Sequence, residues 1–72
     1  DEINIQFAAG DYMETKYAIF DSYGTVVLQR DLGIQTGTVL QTVDVSNLQT
    51  GLYLLKVFKG NSNVESKTFM KQ

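Results

Sequence analysis

The sequence predicts an all-β domain, a small antiparallel sandwich or barrel. Three observations predict it. Apolar residues recur with period two from the start, as in Ile3, Ile5 and Phe7 set against Asn4 and Gln6. Short apolar runs alternate with breaks rich in Gly, Asn and Asp, at the spacing of small β proteins. No window of helical length carries a 3.6-residue apolar stripe. Six or seven strands are expected in one domain, residues 1–72, since 72 residues leave no room for a second.

The first strand is expected over 2–8, and Gly10-Asp11 punctuates the gap before a second over 15–21. "DSYG", Asp21 to Gly24, puts Asp first and Gly last in a four-residue stretch, which suits a type I turn. It joins "KYAIF" to "TVVLQ" as a tight hairpin, so the third strand falls at 25–31. "LGIQTG", Leu32 to Gly37, reads as a looser loop before a fourth strand at 38–45.

The stretch "VDVSNLQTGLYLLKV", residues 43–57, is more unusual. Ser46 and Gln49 have the spacing of a capping box, which predicts one helical turn. Leu48 then folds under and plugs the end of the core. Gly51 permits a positive φ, which lets the chain enter the fifth strand at 51–59. In that strand Tyr53, Leu55 and Val57 share one face, while Leu52, Leu54 and Phe58 take the other, interrupted by Lys56. Burial on both faces predicts a central strand or one covered by a neighbour. Tyr53 is placed inside, with a hydroxyl that needs a partner. "GNSN", Gly60 to Asn63, makes the last hairpin, into a sixth strand at 63–71. There Phe69 or Met70 anchors the strand while Lys67 and Lys71 face outward. The expected core is Ile3, Ile5, Tyr17, Ile19, Val27, Val43, Leu48, Tyr53, Leu55 and Val57.

Composition removes several function classes. With no Cys and no His, thiol chemistry, a disulfide framework and the common transition-metal sites are excluded. A Ser-His-Asp mechanism is excluded with them. The net charge is −2, from 6 basic and 8 acidic residues scattered singly, so there is no phosphate-binding stripe and nucleic acid is not an expected partner. No apolar run approaches the ~20 residues of a membrane helix, so membrane insertion is not expected. The chain lacks the pattern of a signal peptide and starts directly in a strand. It therefore reads as cut from the end of a larger protein, whose export signal lies elsewhere.

Asp21 and Asp44 stand at turn entries, where capping the backbone is the usual work of a carboxylate. A calcium site from Asp44, Ser46 and Asn47 is conceivable, but its spacing matches no known ligand pattern. Lys56, Lys59, Lys67 and Lys71 read as solvated strand faces and edge protection. The residues by themselves give a binding or interaction module without a cofactor, not an enzyme.

Two segments carry a family resemblance. "YAIFDSYGTVV" resembles the v-x-I-x-D-x-x-G-(K/R)-x-V segment of the C-terminal sorting domains of the type IX secretion system of Bacteroidota, type A. "VDVSNLQTGLYLLKVFKGN" is similar to that family's i-D-(v/l)-S-x-L-x-x-G-(I/V/L)-Y-x-(l/v)-(k/r)-(v/i) segment, and "SKTFMKQ" to its lysine-bearing terminal strand. The motif residues are Asp21, Gly24, Val27, Asp44, Ser46, Leu48, Gly51 and Tyr53. Two features depart from the family pattern. The chain has no Pro, so the upstream Pro-Asn-Pro segment is missing, which reads as truncation; and Thr25 stands where Lys or Arg is common.

The resemblance implies an Ig-like antiparallel β-sandwich at the tail of an exported protein. It implies recognition in the periplasm by type IX translocon and shuttle proteins, passage across the outer membrane, and in many members removal by a surface sortase. The domain is then at the cell surface or secreted, and is itself a signal, not a catalyst. Lys67, Lys71 and Gln72 are the candidates for translocon recognition. If the upstream segment has been cut away, an unpaired edge near Ile3–Phe7 or its neighbour is expected to recruit other chains, by strand addition or a swapped segment. The alternative is an Ig-like adhesive or carbohydrate-binding module of a multidomain surface protein, for which Tyr12 and Tyr23 are the turn-placed aromatics.

Overall fold

A computed structural model describes residues 2–60 and 62–72 of the chain. Among the described residues it is all-β and antiparallel, with four strands: β1 (Glu2–Phe20), β2 (Val26–Asp44), β3 (Gly51–Lys59) and β4 (Ser62–Lys71). They are hydrogen-bonded in the order β2-β1-β3-β4. The strand count is lower than the expected six or seven because two pairs of expected strands are continuous. The stretches 2–8 and 15–21 fall within or against β1, and 25–31 and 38–45 within or against β2.

The two long strands form one hairpin that bends midway. Glu2 to Ala8 pair with Asp44 to Thr38, and Met13 to Phe20 pair with Gln35 to Val26. Register shifts flank Gly10 and its partner Gly37. Both glycines have φ values near +70°, 76° and 71°. Where loops were expected, the ladder therefore continues through bulges, which bend and twist a strand without ending it. Thr36 Oγ1 donates to the Gly10 carbonyl at 3.0 Å, and Gln35 Nε2 to the Leu32 carbonyl at 2.6 Å, across and beside the bend.

The bend produces two layers. β3 pairs only with Thr15–Phe20 of β1, so the first half of β1, with the second half of β2, folds over the sheet as a two-stranded layer. Ile5, Phe7, Ala9, Val39 and Val43 from this layer, with Val45 just beyond β2, pack with Tyr17, Ile19, Tyr53, Leu55 and Val57 from the sheet. The sandwich is thus compatible with the Ig-like arrangement. Among the described residues, the Glu2–Ala8 stretch is paired on one side only.

Most of the expected core is buried, and Ile3 and Leu48 are half-buried against it. Val27 is the correction: it is 39% exposed. Ile19 pairs with Leu28 while Phe20 pairs with Val26, so Val27 is the extra residue of a bulge. A one-residue slip exchanges faces, and Leu28 takes the place against the core.

A second correction concerns β3. It is central in the ladder, but its outer face is not covered by another layer: Leu54, Lys56 and Phe58 are half-buried and Leu52 is exposed. The last hairpin forms between β3 and β4, with Lys59 opposite Ser62. Asn61 of the expected "GNSN" turn, like Asp1, lies outside the described residues.

Candidate functional site

The hairpin turn between β1 and β2 is built by one carboxylate. Asp21 Oδ1 accepts the amides of Tyr23 and Thr25, each at 2.9 Å. The Gly24 amide donates to the Asp21 carbonyl at 3.0 Å, and Gly24 sits at φ +84°. Asp first and a glycine in the left-handed region last are what this turn requires. Thr25 contributes only backbone to this turn, its amide to Asp21 Oδ1 and its carbonyl to the Asp21 amide at 2.9 Å, so a cationic side chain at that position is not needed for the turn to close.

The connection from β2 to β3 uses the same device. Asp44 Oδ1 accepts the Ser46 amide at 2.9 Å and the Ser46 hydroxyl at 2.5 Å. Those two bonds, the hydroxyl first, hold the Asp44 carboxyl below its ordinary value. The expected helical turn is replaced by a tighter one closed by the Leu48 amide on the Val45 carbonyl at 3.0 Å. An Asx-type turn offers the backbone an alternative to helix, and Asp44 secures it before Ser46 can nucleate one. The turn still directs Leu48 under the sandwich, half-buried against the core.

Tyr53 ties this connection to the sheet. Its ring is buried and stacks on Phe69 of β4, with centroids 5.6 Å apart and planes at 22°. Its hydroxyl donates to the Gln49 carbonyl at 2.6 Å. Gly51 enters β3 at φ +156°, and a Cβ there would meet nothing within 4 Å. The glycine is thus required by backbone conformation, not by crowding.

These segments, more than twenty residues apart, line one open groove of about 460 Å³ at a single end of the sandwich. Asp21, Ser22, Tyr23 and Val27 form one wall, and Asn47 to Tyr53 the other. Five of the eight motif residues, Asp21, Val27, Leu48, Gly51 and Tyr53, line the groove itself. Gly24, Asp44 and Ser46 shape the turns beside it. Val27, displaced from the core by its bulge, faces this groove.

One family model matches the chain, the secretion system C-terminal sorting domain, over residues 1–72. The chain belongs to that family. It is therefore a sorting signal of type IX secretion, made for export across the outer membrane through that machinery. No curated protein and no solved structure matches it.

The candidate terminal residues of this sorting domain are not gathered in one place. Lys67 pairs with Leu55 and lines a separate groove between the layers, with Ile5, Phe7 and Val57. Lys71 pairs with Gly51, is half-buried, and lies with Gln72 beside Ile3 and Val45. Phe69 is the anchor, and Met70 is 58% exposed. By register, Lys67 and Lys71 share the inward side with Phe69, not the opposite face as expected; Lys67 reaches solvent because β4 is an edge strand. The sequence singles out Tyr23 as a turn-placed aromatic and Asn47 as a conceivable calcium ligand, but that these two and Ser22 line one groove emerges only once the two turns are set side by side.

Proposed function

We propose that the end groove is the surface by which the translocon and shuttle proteins read this domain, as the folded tail of a larger exported protein in the periplasm. A surface sortase then removes the domain and leaves the cargo at the cell surface. One observation carries this reading: both motif segments converge on a single groove, and their polar side chains are spent on fixing its walls. Asp21, Asp44 and Tyr53 all bond to neighbouring backbone. That is the economy of a recognition surface and not of a catalyst, which keeps acid and base groups free for a substrate.

The adhesive alternative gains no support from its aromatics. Tyr12 and Tyr23 are 77% and 92% exposed, but they flank opposite ends of the Met13–Phe20 stretch of β1. A strand rises about 3.3 Å per residue, so the two rings cannot share a platform.

The test fuses residues 1–72 behind a periplasmic reporter in a type IX-competent strain. Surface delivery is expected there and not in a type IX-deficient strain. Tyr23→Ser and Asn47→Ala, at exposed positions of the groove, are expected to lower delivery without lowering the thermal midpoint. Delivery in the deficient strain overturns the sorting role; full delivery by both variants overturns the groove. Self-association through the open side of Glu2–Ala8 belongs to the same reading. Exposed edges recruit strands, and light scattering should show dimers that a Gln6→Pro edge variant loses; monomers throughout would remove that edge from the account.

A further inference from the structure

The end groove has one side chain that folding does not explain. Tyr23 is the third residue of the turn from Asp21 to Gly24 and is 92% exposed. Turns favour Gly, Asn, Asp and Ser, and a ring so exposed buries almost nothing. Its position is nevertheless fixed. The Tyr23 amide donates to Asp21 Oδ1 at 2.9 Å, and the Gly24 amide closes the same turn on the Asp21 carbonyl. Ring and carboxylate, two residues apart, are thus carried by one tied turn on one wall of the groove.

The carboxylate is only half used. Oδ1 accepts the Tyr23 and Thr25 amides, while Oδ2 has no hydrogen bond or ion pair to any described residue. Of the described residues lining the groove, only Asp21 is charged. The cations on the neighbouring strands are directed elsewhere. Lys56 lies over the Phe20 ring on the outer face of the sheet, and Lys71, opposite Gly51, lines a different pocket with Ile3 and Val45. Val27 and Leu52, 39% and 51% exposed, add an apolar ledge to the groove. An arginine suits all three features at once. Its guanidinium makes a charge-assisted hydrogen bond to a carboxylate and stacks on an aromatic face, and its stem covers apolar surface. A lysine ammonium, compact and strongly hydrated, matches the carboxylate but makes less of the ring.

We infer that the end groove takes an arginine side chain presented by a protein of the secretion machinery. Its guanidinium sits between Asp21 Oδ2 and the Tyr23 ring, with its stem along Val27 and Leu52. The inference rests on the reading role proposed for the groove above and names the chemistry that is read. Charge complementarity selects the occupant: a wall whose one charge is a half-used carboxylate favours a cation and repels an anionic group.

Asp21→Asn is the decisive variant in the same reporter fusion. The amide oxygen of Asn can still accept both turn amides, so the thermal midpoint should hold while the charge is gone. Surface delivery is expected to fall at least tenfold. Asp31→Asn makes the same exchange at a carboxylate that caps the Gly33 amide at the other end of the sandwich, and should stay within twofold. Tyr23→Phe, which keeps the ring, should also stay within twofold. A second measurement needs no variant. In an NMR titration of the unaltered domain, N-acetyl-arginine amide is the probe and N-acetyl-citrulline amide its uncharged isostere. The Tyr23 and Thr25 amides should shift at least fivefold more with the arginine probe, and more than the amide of Glu65, an exposed carboxylate of β4. Normal delivery by a folded Asp21→Asn domain overturns the inference, as do equal shifts with the two probes. Shifts of these amides with a methyl glucoside and not with arginine overturn it in favour of a carbohydrate. Should Asp21→Asn unfold, the titration decides alone. If the unaltered domain fails to deliver the reporter, the sorting role has failed, and the titration still decides whether the groove prefers arginine; delivery that is indifferent to Asp21→Asn sinks the arginine site alone.

Discussion

The two ends of the sandwich are built by different means. At the groove end, side chains fix the backbone: Asp21 and Asp44 each accept two bonds from the residues that follow them, and Tyr53 holds Gln49. At the bend end, backbone freedom does most of the work: Gly10, Gly33 and Gly37 all sit at φ between 71° and 76°, and Tyr12 at 48°. The first device fixes both a conformation and a set of exposed groups. The second only lets the chain turn. A surface meant to be recognised needs the first, and a hinge between two layers needs only the second.

That difference decided what was legible in the sequence. Asp21, Gly24, Gly51 and Tyr53 announce their roles because each is the residue type its position demands. The bend is hidden in the sequence because Gly10 and the glycines of "LGIQTG" are signals for a break, while bulges let pairing continue across them. The pattern puts Val27 inside for a related reason. Period-two counting assumes an unbroken register, and the bulge at Val27 itself reverses the face. The groove needs both turns side by side, and no local pattern encodes that.

The sharpest way to break the comparison is at Tyr53. Tyr53→Ala should cost about 3–5 kcal/mol, because it removes a buried ring and its contact with Phe69. Tyr53→Phe should cost about 1 kcal/mol, since it removes only the bond to Gln49. Urea melts measure both. Equal midpoints for the two variants would mean that the ring does not support this end.

Glycines give the next largest effect. Gly51→Val should cost roughly 1–3 kcal/mol from the backbone angle alone, as no neighbour stands within 4 Å of the new Cβ. Gly37→Ala, with the same empty surroundings, should cost about 1–2 kcal/mol, the penalty of a left-handed residue. Only the Gly51 variant should also lower reporter delivery, because it alone lines the groove. Equal losses of delivery at matched stability would erase the distinction between the ends.

The pH limits of stability separate the regions more gently. Asp44 has its folded pKa lowered from 3.8, first by the Ser46 hydroxyl. Its contribution is present above the unfolded value and is lost as pH falls through the lower folded one. Tyr17 is raised above 10.0 by burial, against a smaller opposing effect of Arg30. Its contribution is present below pH 10 and is lost as pH rises through the higher folded value. Asp44→Asn should flatten the acid side of a plot of thermal midpoint against pH, and Tyr17→Phe the alkaline side. An unchanged acid limb in the Asp44 variant would show that Ser46 does not hold the carboxylate in solution.

The smallest stability effect is expected where the functional effect is largest. Lys71 lies opposite Gly51, the residue that opens β3 at the groove, so the end of β4 borders the groove end without building its walls. Removing Lys71 and Gln72 takes away the last rung of an edge ladder and leaves the Tyr53–Phe69 stack in place. Ladder ends contribute little, and exposed changes usually shift stability by less than about 0.5 kcal/mol. Lys71 is half-buried, so the loss should sit at the upper end of that range. Export should nevertheless drop, if the terminus is read together with the groove. Circular dichroism reports the fold and surface immunoblotting the delivery. Normal delivery of the trimmed domain would confine recognition to the groove walls. Should trimming lower both fold and delivery, a chain that keeps its length but carries Lys71→Ala and Gln72→Ala decides the matter, because it retains the backbone rung and removes the two side chains.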